Sequence, residues 1–218
     1  MRKCFVGTAL FLFLTVSLRA DVLFTSFGPG GTFTTSFGWG IGGPFEMAYP
    51  FMPSETAAFD TAALAIAYGP INIQRSVNIA LMTDASDSPG MVIESFELVD
   101  VLPFAGSIAP AIVVDSVNHP LLEAQTKYWL SIANPGDSGE IDWGTAGVGP
   151  PFQRAIRQLG PGNPWLVTAS DRFTAGAFDV TGTPVLSTPE PSSVLLLLSA
   201  LIVVVGTARS RRFYQPPV

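Results

Sequence analysis

Ser76-Val77-Asn78-Ile79-Ala80-Leu81-Met82-Thr83-Asp84-Ala85-Ser86-Asp87-Ser88-Pro89-Gly90-Met91-Val92-Ile93-Glu94-Ser95-Phe96-Glu97-Leu98-Val99 is the stretch that decides the fold. Val77, Ile79 and Leu81 alternate with Ser76, Asn78 and Ala80. Successive side chains of a strand point to opposite faces, so this period of two puts the large aliphatics on one buried side. Asp84 to Gly90 then offers Asp, Ser, Pro and Gly, the residues that favour turns. Beyond it Phe96 and Leu98 alternate with Ser95 and Glu97. Strand, turn and strand predict an antiparallel hairpin. The turn holds two carboxylates, Asp84 and Asp87, but lacks the acidic spacing and closing Glu of an EF-hand loop. A plain turn is favoured, and calcium binding by Asp84 and Asp87 stays open.

The same period extends outward. Val22 to Phe27 and Phe33 to Trp39 are short β-rich runs around a Gly-rich turn at Gly28 to Gly31, which fits no phosphate-loop template. Gly38 to Gly43 reads as a flexible turn. Residues 56–68 are ambiguous. Phe59, Ala62, Ala63 and Ile66 fit one helical face, whereas Leu64, Ile66 and Tyr68 alternate with alanines as on a strand. We read a strand. Ala111 to Val117 and Lys127 to Ala133 make another pair of strands, with Tyr128, Leu130 and Ile132 on one face. Phe152 to Leu159, Trp165 to Thr168 and Phe173 to Gly182 follow between Gly/Pro turns. The expected fold is an all-β sandwich, jelly-roll-like, of about eight to ten short strands. Its core would comprise Val77, Ile79, Leu81, Phe96, Leu98, Tyr128, Leu130, Ile132, Phe178 and Val180.

Composition agrees. Gly and Pro supply 40 of 218 residues, above the ~12% usual for the pair, which favours turn-rich β structure. Residues 21–188 hold five basic and sixteen acidic side chains, a net charge of −11. Such a surface repels phosphate backbones, so nucleic acid is excluded as a partner. Cys4 is the only cysteine. A body without it has no disulfide, zinc ribbon or cysteine nucleophile.

Catalytic constellations are sparse. His119, the single histidine, precedes Pro120 in an expected loop, and no Gly-x-Ser-x-Gly elbow is present. Glu140 and Asp142 lie two apart on an expected strand and so share a face. A glycoside hydrolase needs two carboxyls about 5–9.5 Å apart across a cleft, but a solvated strand edge has the same spacing. Trp39, Trp129, Trp143 and Trp165 could stack on sugar rings, with Trp143 and Trp165 the leading pair, or pack a β core. The alternatives to a non-enzymatic protein are therefore a carbohydrate-binding module and, behind it, a glycoside hydrolase. No cofactor is called for.

The two chain ends carry the address. Residues 1–20 read as a signal peptide: Arg2 and Lys3, an apolar stretch from Phe5 to Leu18, and Ala20 before the cut. Residues 21–186 form the exported body and 187–193 a linker with Pro189-Glu190-Pro191. Val194 to Ala208 is uncharged over 15 residues. As a helix it would span about 22 Å at ~1.5 Å per residue, short of a ~30 Å bilayer core. Ser192 and Ser193 can enter at one end, and Arg209, Arg211 and Arg212 can extend apolar stems into lipid at the other. Those arginines in the tail 209–218 mark the cytoplasmic side.

Pro189-Glu190-Pro191, the apolar helix and the Arg cluster together resemble the PEP-CTERM sorting signal of exosortase systems, over residues 188–213. The resemblance implies a membrane-bound sorting enzyme as partner, which cuts near Pro-Glu-Pro after transient single-pass anchoring in the inner membrane. It implies delivery to the cell surface or an extracellular polysaccharide matrix. This chain departs from the family by continuing as Phe213-Tyr214-Gln215-Pro216-Pro217-Val218. The stretch from Phe59 to Val185 also resembles "choice-of-anchor" β ectodomains. The matching segments are Ile66-Ala67-Tyr68-Gly69, Leu81 to Gly90, Tyr128-Trp129-Leu130 and Gly176-Ala177-Phe178-Asp179-Val180-Thr181-Gly182. That resemblance implies no catalytic residues.

Overall fold

Strand follows strand from Asp21 to Pro184 in the computed structural model, which describes residues 20–69, 76–106, 110–136, 139–146, 152–160, 162–170 and 174–185. The strands are β1 (Asp21–Thr25), β2 (Thr34–Gly42), β3 (Phe45–Phe51), β4 (Ala57–Leu64), β5 (Ile66–Tyr68), β6 (Ser76–Asp84) and β7 (Pro89–Val99). After them come β8 (Ile112–Asp115), β9 (Leu121–Leu122), β10 (Tyr128–Asn134), β11 (Glu140–Thr145), β12 (Phe152–Gln158), β13 (Leu166–Ser170) and β14 (Phe178–Pro184). The fold is all-β, and the one helical turn among the described residues is 3-10, Pro29–Gly31. No helix among them is long and apolar enough to cross a membrane.

The strands form three sheets. The first runs β1-β14-β4-β8 with β9 also on β4, the second β13-β12-β3-β10-β6-β7, and the third β2-β11-β5. Every named pair is antiparallel. β6 and β7 make the expected hairpin, Val77 opposite Leu98 and Ile79 opposite Phe96.

Alternation puts the bulk of each strand on one side. Met47, Tyr49 and Phe51 of β3, Val77, Ile79 and Leu81 of β6, and Tyr128, Leu130 and Ile132 of β10 enter one buried cluster. Phe59 and Leu64 of β4, Phe178 and Val180 of β14, and Ile141 and Trp143 of β11 enter it from the other two sheets. Rings meet across sheets: Phe51 lies 6.1 Å from Phe178 and Phe59 lies 6.4 Å from Phe96, centroid to centroid. All ten expected core residues belong to this cluster or pack against it, Phe96 and Leu98 being the partly buried ones. On the other face of the second sheet Ala48, Met82, Trp129 and Ala155 form a smaller buried cluster, covered in part by Trp165 and Val167.

Four expectations need correction. Gly38 to Gly42 is strand, not turn. A β-carbon on Gly38 would overlap the Trp143 carbonyl, so glycine there admits the neighbouring β11, whereas one on Gly40 would meet only the movable Glu140 side chain. Residues 56–68 are extended but belong to two sheets, β4 ending at Leu64 and β5 starting at Ile66. The strands near residues 112–115 and 128–134 lie in different sheets and do not pair. Fourteen strands form among the described residues where about eight to ten are expected, and the last runs to Pro184 opposite Ala57.

By contacts, the chain divides into a unit ending at Pro184 and a second from Val185 to Val218. The signal-peptide reading with Cys4, Pro189-Glu190-Pro191, the apolar run 194–208 and Arg209, Arg211 and Arg212 lie outside the described residues.

Candidate functional site

The hairpin turn between β6 and β7 organises one rim of a cavity. Ser86 and Asp87 adopt positive φ, 55° and 64°, a conformation that Asp tolerates better than most residues. The Asp87 amide donates to Asp84 Oδ2 (3.1 Å), and Trp129 Nε1 donates to Asp84 Oδ1 (2.8 Å). Asp87 pairs with the Lys127 ammonium, which also donates to Gln153 Oε1 (3.4 Å). Both carboxylates of the turn thus accept from protein donors, the arrangement of a structural turn. Among the described residues no three His, Cys, Asp or Glu side chains come together to hold a metal ion.

Lys127 and Gln153 stand at the mouth of a cavity of about 500 Å³. β1 and the residues after it supply Phe24, Thr25, Ser26 and Phe27; β3 supplies Tyr49 and Phe51; β12 and β14 supply Phe152 and Phe178. Phe24 contacts both Phe51 (5.7 Å) and Phe178 (5.1 Å), which makes an aromatic floor. Tyr49 and Phe152, 5.6 Å apart, form a wall. The single Ser26 Oγ proton is shared between Gly176 O (2.9 Å) and Phe178 O (3.1 Å), and the oxygen accepts from the Phe178 amide (2.9 Å). Thr25 Oγ1 accepts from the Phe27 amide (3.2 Å). Tyr49 Oη is the one buried side-chain N or O among the described residues without a well-formed hydrogen bond. Arg154 and the Gly176 backbone are its polar neighbours, and burial pushes its phenol well above the usual range.

A second polar cluster joins two sheets. Glu94 of β7 is buried and accepts from Ser116 Oγ (2.7 Å) and the amides of Val117 (2.8 Å) and Asn118 (3.0 Å), all in the turn after β8. Burial raises the Glu94 carboxyl, but these hydrogen bonds and the nearby His119 outweigh it and hold the group below its ordinary value. His119 Nδ1 lies 3.1 Å from Phe59 O and 3.2 Å from Asp60 Oδ1, and Asp60 Oδ2 accepts from Thr183 Oγ1 (2.7 Å). His119 is therefore a loop residue whose Nδ1 is tied to β4.

The expected glycan-stacking pair does not form a platform. Trp143 is 0% exposed, with Tyr49 edge-on at 4.8 Å and its Nε1 donating to Ala177 O (3.2 Å). A ring with no exposed face cannot stack on a sugar from solvent, so Trp143 is a core residue. Trp165 is partly buried, and the Arg157 guanidinium sits over its ring at 4.3 Å. Arg157 in turn pairs with the buried Glu46 (2.6 Å), which accepts from Ser131 Oγ (2.7 Å). Trp129 is fully buried, and Trp39 carries Arg154 over its ring at 3.9 Å. Glu140 and Asp142 do share one face of β11, Glu140 exposed and Asp142 partly buried. Burial, and then the Glu140 charge, raises the Asp142 carboxyl.

The cavity itself escaped sequence reading. Its lining comes from four separate strands, and the spacing of Phe24, Phe51, Phe152 and Phe178 along the chain carries no signal. No protein-family model matches the chain, and no curated protein matches it.

Proposed function

We propose that this chain is an exported, non-enzymatic surface or matrix protein whose β body is sorted through its C-terminal end and released by an exosortase-type enzyme. One observation carries the reading: Pro189-Glu190-Pro191, the uncharged run Val194 to Ala208, and Arg209, Arg211 and Arg212 follow in that order. Uncharged helix and basic stop are the physical requirements of a single-pass anchor with its body outside. An acidic body of net charge −11 between two basic ends is consistent with translocation. We take the body as a β-sandwich, jelly-roll-like, because rings from the first and second sheets interleave in one core. Its location is first the inner membrane, then the cell surface or an exopolysaccharide matrix.

Fractionation of cells with and without the sorting enzyme tests this. With the enzyme, the mass of the released protein should end near Pro189-Glu190-Pro191. Without it, or with Glu190→Ala, the intact chain should stay in the membrane. An intact chain in the cytosol of both strains rejects the proposal.

A further inference from the structure

The cavity rimmed by Lys127 has a size and a distribution of polar atoms that select one kind of ligand. About 500 Å³ falls within the ~300–1,000 Å³ of small-molecule pockets. Few polar side chains within it have capacity to spare: Tyr49 Oη alone among its buried polar atoms has no well-formed hydrogen bond. Ser26 Oγ serves Gly176 and Phe178, and Thr25 Oγ1 serves Phe27. A sugar, with a hydroxyl on nearly every carbon, would bury several of them without partners, which is unfavourable. A hydrocarbon meets no such penalty against Phe24, Phe27, Phe51, Phe152 and Phe178.

The rim has the opposite character. Lys127 is the only lysine outside residues 1–20, and its side chain is 28% exposed. An ammonium has three donors; Asp87 and Gln153 Oε1 take two, which leaves one for a bound acceptor. Depth is apolar, and the mouth carries an ammonium that it shares with the Asp87 carboxylate.

We infer that this cavity binds a free single-chain amphiphile, its hydrocarbon chain lying against the phenylalanines and its carboxylate held at Lys127. The site is independent of how the protein is sorted.

Calorimetric titration of the full chain, held in a detergent-free amphipathic polymer, tests the assignment with dodecanoate and dodecanol as probes. Dodecanoate should bind saturably at one site. Lys127→Met should weaken dodecanoate about tenfold, the loss expected for a charge-assisted contact, and leave dodecanol within about twofold. Met52 lines the cavity and is half exposed. Met52→Glu should therefore weaken both probes about tenfold or more without unfolding the chain. Thr25→Trp, which fills the cavity from an exposed position, should do the same, and a melting curve for each variant reports its fold. The inference fails if neither probe binds, or if folded Met52→Glu and Thr25→Trp bind as the parent does. It also fails if Lys127→Met weakens both probes alike. Binding to phosphatidylglycerol vesicles without binding of dodecanoate would replace the free amphiphile by a membrane lipid and overturn it.

Discussion

Glu94 sits on the core side of β7 and takes three hydrogen bonds from the turn after β8, so one carboxylate fastens the second sheet to the first. Its folded pKa lies below the ordinary carboxyl value. The stability it contributes is therefore full above the unfolded value, ~4.3, and is lost as pH falls through the depressed folded value. Glu94→Gln should destabilise the chain by about 1–3 kcal/mol at neutral pH. Denaturant titrations at pH 7 and in acid should show that difference shrinking. Asp179 has the opposite sign. Burial raises its carboxyl, against a hydrogen bond from the Ala63 backbone. The folded state then holds its proton above the unfolded ~3.9, and stability falls as pH rises through that window. Asp179→Asn should be more stable than the parent at pH 7, with the gain vanishing in acid, by the same titrations. Trp143 shows the cost of reading a residue by type. Its chemistry suits stacking, but the position opposite Trp39 on β11 turns it into the core. Trp143→Ala should lower stability by about 3–5 kcal/mol, read as a shifted denaturation midpoint.

The second half of β2, Gly38 to Gly42, reads as a turn because Gly38, Gly40 and Gly42 interrupt it. Gly38 answers to the facing strand, a contact about 100 residues away that local pattern cannot report. The three positions differ, which gives a controlled comparison. A β-carbon at Gly38 would overlap backbone atoms of Trp143 and Gly144, whereas at Gly42 it meets nothing within 4 Å. Gly38→Ala should destabilise by about 1–3 kcal/mol as the strands part. Gly42→Ala should be neutral or stabilise by up to ~1 kcal/mol, both read from urea midpoints. β4 explains another ambiguity. Thr61 pairs with Thr181 but Phe59 with Gly182, so Asp60 is an extra, bulged residue. The bulge turns both Phe59 and Ala62 inward, and a spacing of three on one face imitates a helix. The hairpin of β6 and β7 was legible because its turn, period and partner lie in one continuous stretch.

The whole molecule carries sixteen acidic and five basic residues between 21 and 188. Repulsion within such a body is long-range and falls with ionic strength. The melting temperature should therefore rise by a few degrees between ~0.01 and ~1 M sodium chloride, as the Debye length contracts from ~30 to ~3 Å. A fall would mean that pairs such as Glu46–Arg157 outweigh the net charge. The all-β class, the core-facing residues of β6, β10 and β14, and the acidic body were determined by the sequence, because period two and formal charge are local properties. The membrane address proposed above rests on order and composition alone. The grouping into three sheets, the burial of Trp143, the Glu94 clamp and the aromatic cavity were decided only by tertiary structure. Each depends on which strands become neighbours, and that choice minimises exposed apolar surface over the entire chain rather than within any window of it.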